Sequence, residues 1–264
     1  MKCHIVLSLL LLPLLVAQAS ATLVISAGGV AVTQNFDGLG TGLDLSVLDG
    51  ADGWKVAASA TPTYTDPLNT FSALTQLGSG SFTVGGSYNF RGSSTDRAIG
   101  FLTAGVFNSP RSILLKMSNA SAETITKLDI AFDYEKYRTG TRALNYTFHH
   151  GADGTAWAAA TDGDHFYDAD AGTTTYGLPL STVTKSVTLS GLSIPSGSSY
   201  YLRWFYAGVG GSSNSQAVGI DNFSVTATTL AAVPEASSFL LGGLALAGVG
   251  FGTVARRLRL RKVA

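Results

Sequence analysis

The chain has 264 residues, 13% of them charged and 45% hydrophobic, with equal numbers of acidic and basic side chains. That balance is not uniform: residues 22–232 hold sixteen acidic and eleven basic residues, a net charge of −5, while five basic residues crowd into the last nine positions. An acidic body without a basic cluster is a poor partner for nucleic acid, and its plentiful, regularly placed aromatic residues exclude a disordered chain.

The N-terminus starts with Lys2, runs apolar from Ile5 to Val16 and ends in the small residues Ala17-Gln18-Ala19-Ser20-Ala21. These are the three parts of a secretory signal peptide, predicted over residues 1–21 with cleavage after Ala21 or Ala19. The apolar core is about a dozen residues, short of the ~20 that span a bilayer. Cys3 is the single cysteine and lies ahead of that core, so the cleaved chain has no thiol. Disulfides, cysteine-bound zinc and a cysteine nucleophile are thereby excluded.

Residues 22–232 read as an all-β ectodomain, rich in Gly, Ser and Thr between apolar runs. Strands are predicted at Ser81 to Phe90, Ala98 to Ala104 and Ser112 to Ser118. From Leu128 to Glu135, period-two alternation puts Leu128, Ile130, Phe132 and Tyr134 on one face and Asp129, Ala131, Asp133 and Glu135 on the other. Leu144, Tyr146 and Phe148 repeat the pattern, as do Val187 with Leu189, and Leu202, Trp204 and Tyr206. A last strand is predicted from Val218 to Thr226, with a bulge where Asp221 and Asn222 interrupt the alternation. Turns fall at Ser109-Pro110, Gly151 to Gly154, Ile194 to Gly197 and Gly208 to Ser213. With no helix to make a βαβ crossover and no repeat of propeller length, the expected fold is a two-sheet antiparallel sandwich of jelly-roll or lectin-like type.

Few residues in this body suggest chemistry. Asp162, Asp164, Asp168 and Asp170 lie within nine positions around His165, and hard oxygen ligands so close together are candidates for Ca²⁺. The alternative is a solvated loop. His149 is expected to point outward from its strand and His150 to belong to the following loop. Asp133 and Glu135 share a strand face, so a glycoside-hydrolase pair is one reading and a polar exterior the other. Trp54, Trp157, Tyr137, Tyr167 and Tyr176 are placed in or beside loops, where a ring could stack on a sugar or close an end of the sandwich. No Gly-x-Ser-x-Gly elbow is present.

Residues 233–264 have a separate logic: Val233-Pro234-Glu235, an uncharged apolar run over about 237–255, then Arg256, Arg257, Arg259, Arg261 and Lys262 within the basic tail 256–262. The run is long enough to cross ~30 Å of hydrocarbon as a helix, and the cations behind it predict a cytoplasmic stop with residues 22–235 on the far side. The segment resembles the PEP-CTERM sorting signals of exported bacterial proteins. Val233, Pro234 and Glu235 match that family's motif at 233–236 and Arg256-Arg257 its arginine-rich end, while Ala236 stands where a second proline is usual. The resemblance implies a membrane partner, recognition by an exosortase-type processing enzyme, and an organism that makes exopolysaccharide.

From Ser94 to Thr226 the order of segments is also similar to a jelly-roll module of secreted bacterial proteins. Asp96-Arg97-Ala98-Ile99-Gly100, Phe132 to Arg138, Tyr201-Leu202-Arg203-Trp204 and Gly219 to Val225 carry that likeness. Together these features lead to the expectation of a non-catalytic surface or matrix protein of the cell envelope that binds exopolysaccharide and needs no cofactor beyond the candidate Ca²⁺. The alternative is a secreted polysaccharide hydrolase or lyase.

Overall fold

A computed structural model of the protein describes residues 22–39, 53–57, 62–64, 83–91, 95–103, 110–211 and 215–230. The signal peptide, the Val233-Pro234-Glu235 motif, the apolar run and the basic tail lie outside the described residues. Among those described, no helix is long and apolar enough to cross a membrane.

The described chain forms thirteen strands: β1 (Leu23–Ile25), β2 (Ala31–Gln34), β3 (Trp54–Ala57), β4 (Gly86–Arg91), β5 (Arg97–Leu102), β6 (Arg111–Asn119), β7 (Thr124–Arg138), β8 (Ala143–Gly151), β9 (Ala158–Ala159), β10 (His165–Tyr167), β11 (Tyr176–Ile194), β12 (Ser199–Val209) and β13 (Ala217–Leu230). A 3₁₀ turn at Thr161–Gly163 precedes β10. The first sheet has the order β1-β6-β12-β8-β10, with β3 also beside β6 and β9 beside β8. In the second the order is β11-β7-β13-β5-β4, with β2 against β13. The architecture is the expected all-β sandwich with one departure: β1 runs parallel to β6, pairing Leu23 with Met117 and Ile25 with Asn119.

The alternating segments all fall in strands, and every strand built on them is longer than the pattern that signalled it. Leu128 to Glu135 is the centre of the fifteen-residue β7, and Val187 with Leu189 lie in the nineteen-residue β11. Of the strand predicted from Ser81 to Phe90, residues 83–85 precede β4, which begins at Gly86, and Ser81 lies outside the described residues. Gly208 and Val209, expected in a turn, end β12. At β13 the register with β7 slips between Asp221 and Ser224, and Asn222 has φ 49°, so the bulge is present where the alternation broke. Short Asn side chains tolerate this left-handed conformation better than most.

Between the sheets lies an aromatic core. Trp204 of β12, fully buried, meets Trp54 in a stacked pair at 5.2 Å and Phe132 of β7 edge-on at 5.3 Å, while Tyr134 of β7 packs on Tyr146 of β8 at 4.7 Å. Such contacts across the gap add to the burial of large apolar surfaces. Tyr134 donates its hydroxyl to the Gly163 carbonyl at 2.9 Å and Tyr146 to that of Val218 at 3.1 Å, so both phenols are satisfied inside the core. A smaller cluster covers one end of the second sheet on its outer side, where Tyr88, Phe90 and Tyr137 lie stacked in sequence. Gly100 and Gly219 face each other beneath it, and a Cβ on Gly100 would lie 2.2 Å from the Val218 carbonyl oxygen. β11 is an edge of its sheet, and its inward row of Val183, Lys185, Val187 and Leu189 includes a lysine, a charge that discourages another strand from adding there.

Candidate functional site

On the first sheet, strand pairing assembles the outward residues into rows. Lys55, Leu114, Arg203 and His149 come side by side from β3, β6, β12 and β8. Ala57, Ser112, Phe205 and Thr147 form the next row, followed by Ala207, Asn145 and Phe166 of β10. In the other direction Lys116 lies beside Tyr201. Phe166 is 49% exposed, an unusual state for a phenylalanine on a sheet face, and Phe205, Thr147, Asn145 and His149 are half-buried.

Arg203 organises the centre of this face. Its guanidinium lies 4.7 Å from the Phe205 ring and 5.8 Å from the Trp157 ring, and its Nε donates to Ser112 Oγ at 3.1 Å. Burial pulls it down to about 10, which leaves it a cation at neutral pH. Trp157 is held in place by donating Nε1–H to the Pro62 carbonyl at 3.0 Å. At the β3 side, Tyr64 and Tyr201 pack over Leu114, and Lys55 sits over the Tyr64 ring while donating to the Tyr64 carbonyl at 3.1 Å. His149 is held below its ordinary value, first by burial and then by the neighbouring Arg203 charge, and its buried Nδ1 has no hydrogen-bond partner. The result is a surface of aromatic rings interleaved with a guanidinium, an imidazole, an amide and hydroxyls. Such a surface offers a sugar both a ring to stack on and polar groups to bond.

The outer face of the second sheet has different chemistry. An open groove of about 320 Å³ runs along β11, β7 and β13, with Asp129, Ser186, Thr188, Ser224 and Thr226 in its lining. Asp129 in its lining and the nearby Asp133 are already occupied, while Asp162, also in the lining, is exposed. Asp129 accepts from Thr188 at 2.9 Å and pairs with Lys127 at 2.7 Å, and Asp133 accepts from Thr184 at 2.6 Å and from Asn222 at 3.0 Å. Farther along, the face closes over. Glu135 and Asp221 are 5% and 1% exposed, and Glu135 accepts a hydrogen bond from the Tyr137 hydroxyl. Neither oxygen of Asp221 receives a well-formed hydrogen bond, and the adjacent Asn222 N–H eases its charge only in part. Burial pushes Asp221 up to about 8, with the charges of Glu135, Asp96 and Asp37 adding in the same direction.

These positions correct several expectations. Glu135 is not part of a polar exterior but sealed beneath the aromatic cluster, so Asp133 and Glu135 do not stand as an open pair on either side of a cleft. His150 lies in β8, where its Nδ1 shares a 2.5 Å hydrogen bond with Tyr200. Trp54, Tyr137 and Tyr167 are buried core residues; only Trp157 and Tyr176 of the five rings stay partly exposed. Phe166 and Phe205, by contrast, were not singled out. The signal was available for Phe205, which faces opposite Leu202, Trp204 and Tyr206 in an alternating strand.

The four loop aspartates have separate roles. Asp164 accepts from the Phe148 backbone N–H at 2.7 Å, Asp170 takes Lys136 Nζ at 2.9 and 3.1 Å together with the Gly140 N–H at 2.9 Å, and Asp162 and Asp168 are exposed. Among the described residues, no group of three or more His, Cys, Asp or Glu side chains is placed to hold a metal ion.

No family model matches the chain, and no curated protein matches it. Solved structures similar to it include the K1 cleaved adhesin domain of Lys-gingipain from Porphyromonas gingivalis W83, with 9% identity over 76% of this chain and 99% of that one at a TM-score of 0.42. The CBM22-1 xylan-binding domain of Xyn10C from Paenibacillus barcinonensis has 10% identity over 78% and 99% of the two chains at 0.35. For the xylan-binding module CBM15 the values are 12%, 76%, 99% and 0.35. Identities and scores are low, and those ligands belong to those proteins.

Proposed function

We propose that this protein is an exported, non-catalytic β-sandwich that binds polysaccharide at the cell envelope through the outer face of its first sheet. The observation that carries the reading is the run of rings and polar groups from Trp157 through Arg203 and Phe205 to Phe166, on a face where an exposed aromatic has no structural reason to be. A sugar ring laid on Phe205 or Phe166 would gain apolar contact, with Asn145 and Thr147 in reach of its hydroxyls. The C-terminal Val233-Pro234-Glu235 motif, apolar run and basic stop from Arg256 to Lys262 would bring the domain to the outer side of the membrane and present it to an exosortase-type enzyme.

The test is affinity electrophoresis of the purified full-length protein through gels containing polysaccharides, beside a reducing-sugar assay on the same polymers. Retardation that Phe205→Ala or Phe166→Ala weakens, without release of sugar ends, is the expected result. Release of sugar ends would instead establish a hydrolase or lyase. Intact mass of the protein from its native envelope reports on the tail: loss of residues beyond about Glu235 is expected.

A further inference from the structure

We propose that the polysaccharide taken by the first sheet's outer face is an acidic one, a chain of uronic acid rings, a step that rests on the reading of that face as the glycan site. The observation is a segregation of charge by face. Among the described residues, the outward positions of β3, β6, β12, β8 and β10 carry Lys55, Lys116, Arg203 and His149 and no Asp or Glu. In a domain whose net charge is negative by five, that exclusion is specific to this surface. The outward positions of the second sheet lean the other way, with Asp129, Asp133, Glu135 and Asp221 against two cations that are themselves engaged: Lys127, paired with Asp129, and Arg138, which lies by the Tyr176 ring at the aromatic cluster and donates to the Ser215 carbonyl.

Among the described residues, two acids flanking the basic face are engaged with backbone. Asp153, in the turn after β8, accepts from the N–H groups of Thr155 and Ala156, and Asp164 caps the Phe148 N–H from the side. Lys55 is lowered by burial and then by the charge of Lys116, so the two cations act on each other across the face. Half-buried cations over apolar walls focus a positive potential. A uronate polymer brings one carboxylate with every ring, so that each repeat can stack on an aromatic and place its planar anion against a guanidinium or ammonium. A neutral glycan would draw nothing from the positive potential of this face, and a polymer recognised by charge density alone would leave the aromatics without use.

Affinity electrophoresis of the full-length protein in polygalacturonate, neutral dextran and dextran sulfate gels tests this. Polygalacturonate is expected to retard the protein most, with the effect falling on the order of tenfold between low and high salt. The double variant Lys55→Gln/Lys116→Gln should weaken it by a similar factor, Arg203→Lys by less, and Lys127→Gln on the opposite face not at all. Circular dichroism confirms that each variant is folded, and the lysine pair, less buried than Arg203, keeps the test valid if the Arg203 variant is not. Retardation by dextran equal to that by polygalacturonate, dependent on Phe205, would overturn the acidic preference and leave the glycan site standing. Stronger retardation by dextran sulfate, independent of Phe205, would overturn it in favour of simple charge attraction. No retardation in any gel would remove both.

Discussion

The two outer faces of the sandwich are built from the same kind of alternating strand, yet they differ in nearly every property that matters for binding. The first sheet exposes rings and cations; the second exposes hydroxyls and carboxylates that already hold one another, through Thr188 with Asp129, and Thr184 and Asn222 with Asp133. Where a face satisfies its own polar groups, a ligand must displace those bonds for little net gain. An aromatic surface loses only water when a sugar covers it. This difference supports the proposal that recognition belongs to the first sheet, the second being a polar exterior that ends in buried acids.

The largest effect should fall on what the faces share. Trp204→Ala removes the ring that joins both sheets and is expected to destabilise the domain by about 3–5 kcal/mol, read as a shift in urea midpoint. A shift under about 1 kcal/mol would mean the sheets do not pack through it.

Next come the buried acids of the second face. Because Asp221 is raised to about 8 in the folded state from an ordinary value of 3.8, the folded domain binds this proton more tightly than the unfolded chain. Its stabilising contribution is therefore complete below about pH 4 and is lost as pH rises toward 8, by up to about 1.4 kcal/mol per pH unit. Asp221→Asn should flatten that slope in melting temperature measured between pH 5 and 8; an unchanged slope would mean the carboxyl is ionised and compensated.

A third comparison uses matched substitutions on the two faces. Phe205→Ala is expected to weaken glycan retardation roughly tenfold while costing about 1 kcal/mol of stability or less, because the ring is half-exposed. The smallest effect belongs to Asp129→Asn, whose exposed pair with Lys127 should be worth about 0–1 kcal/mol and leave glycan binding as it was. Weaker binding in this variant would move the site to the second sheet's groove.

Much of the fold was legible because alternation is a local property: neighbouring residues on a strand point to opposite sides, so Leu128 to Tyr134 and Leu202 to Tyr206 declare a buried face wherever the strand lies. The bulge at Asp221 was legible for the same reason. Glu135 was not, since its outward position said only that it left the main core; the Tyr88, Phe90 and Tyr137 layer that seals it comes from strands fifty residues apart. For Trp54, Tyr137 and Tyr167 the sequence left stacking on a sugar and closing the sandwich both open, because position beside a loop does not reveal what packs above, and the structure decides for packing.

What the sequence determined by itself is the strand content, the inward rows and a body with an excess of acid. Which outward residues become neighbours was decided only by tertiary structure. Arg203 lies next to His149 and Leu114, and Asn145 next to Phe166, because long-range hydrogen bonding between strands sets their register. Register follows from burying every inward row at once, a condition that no single segment contains.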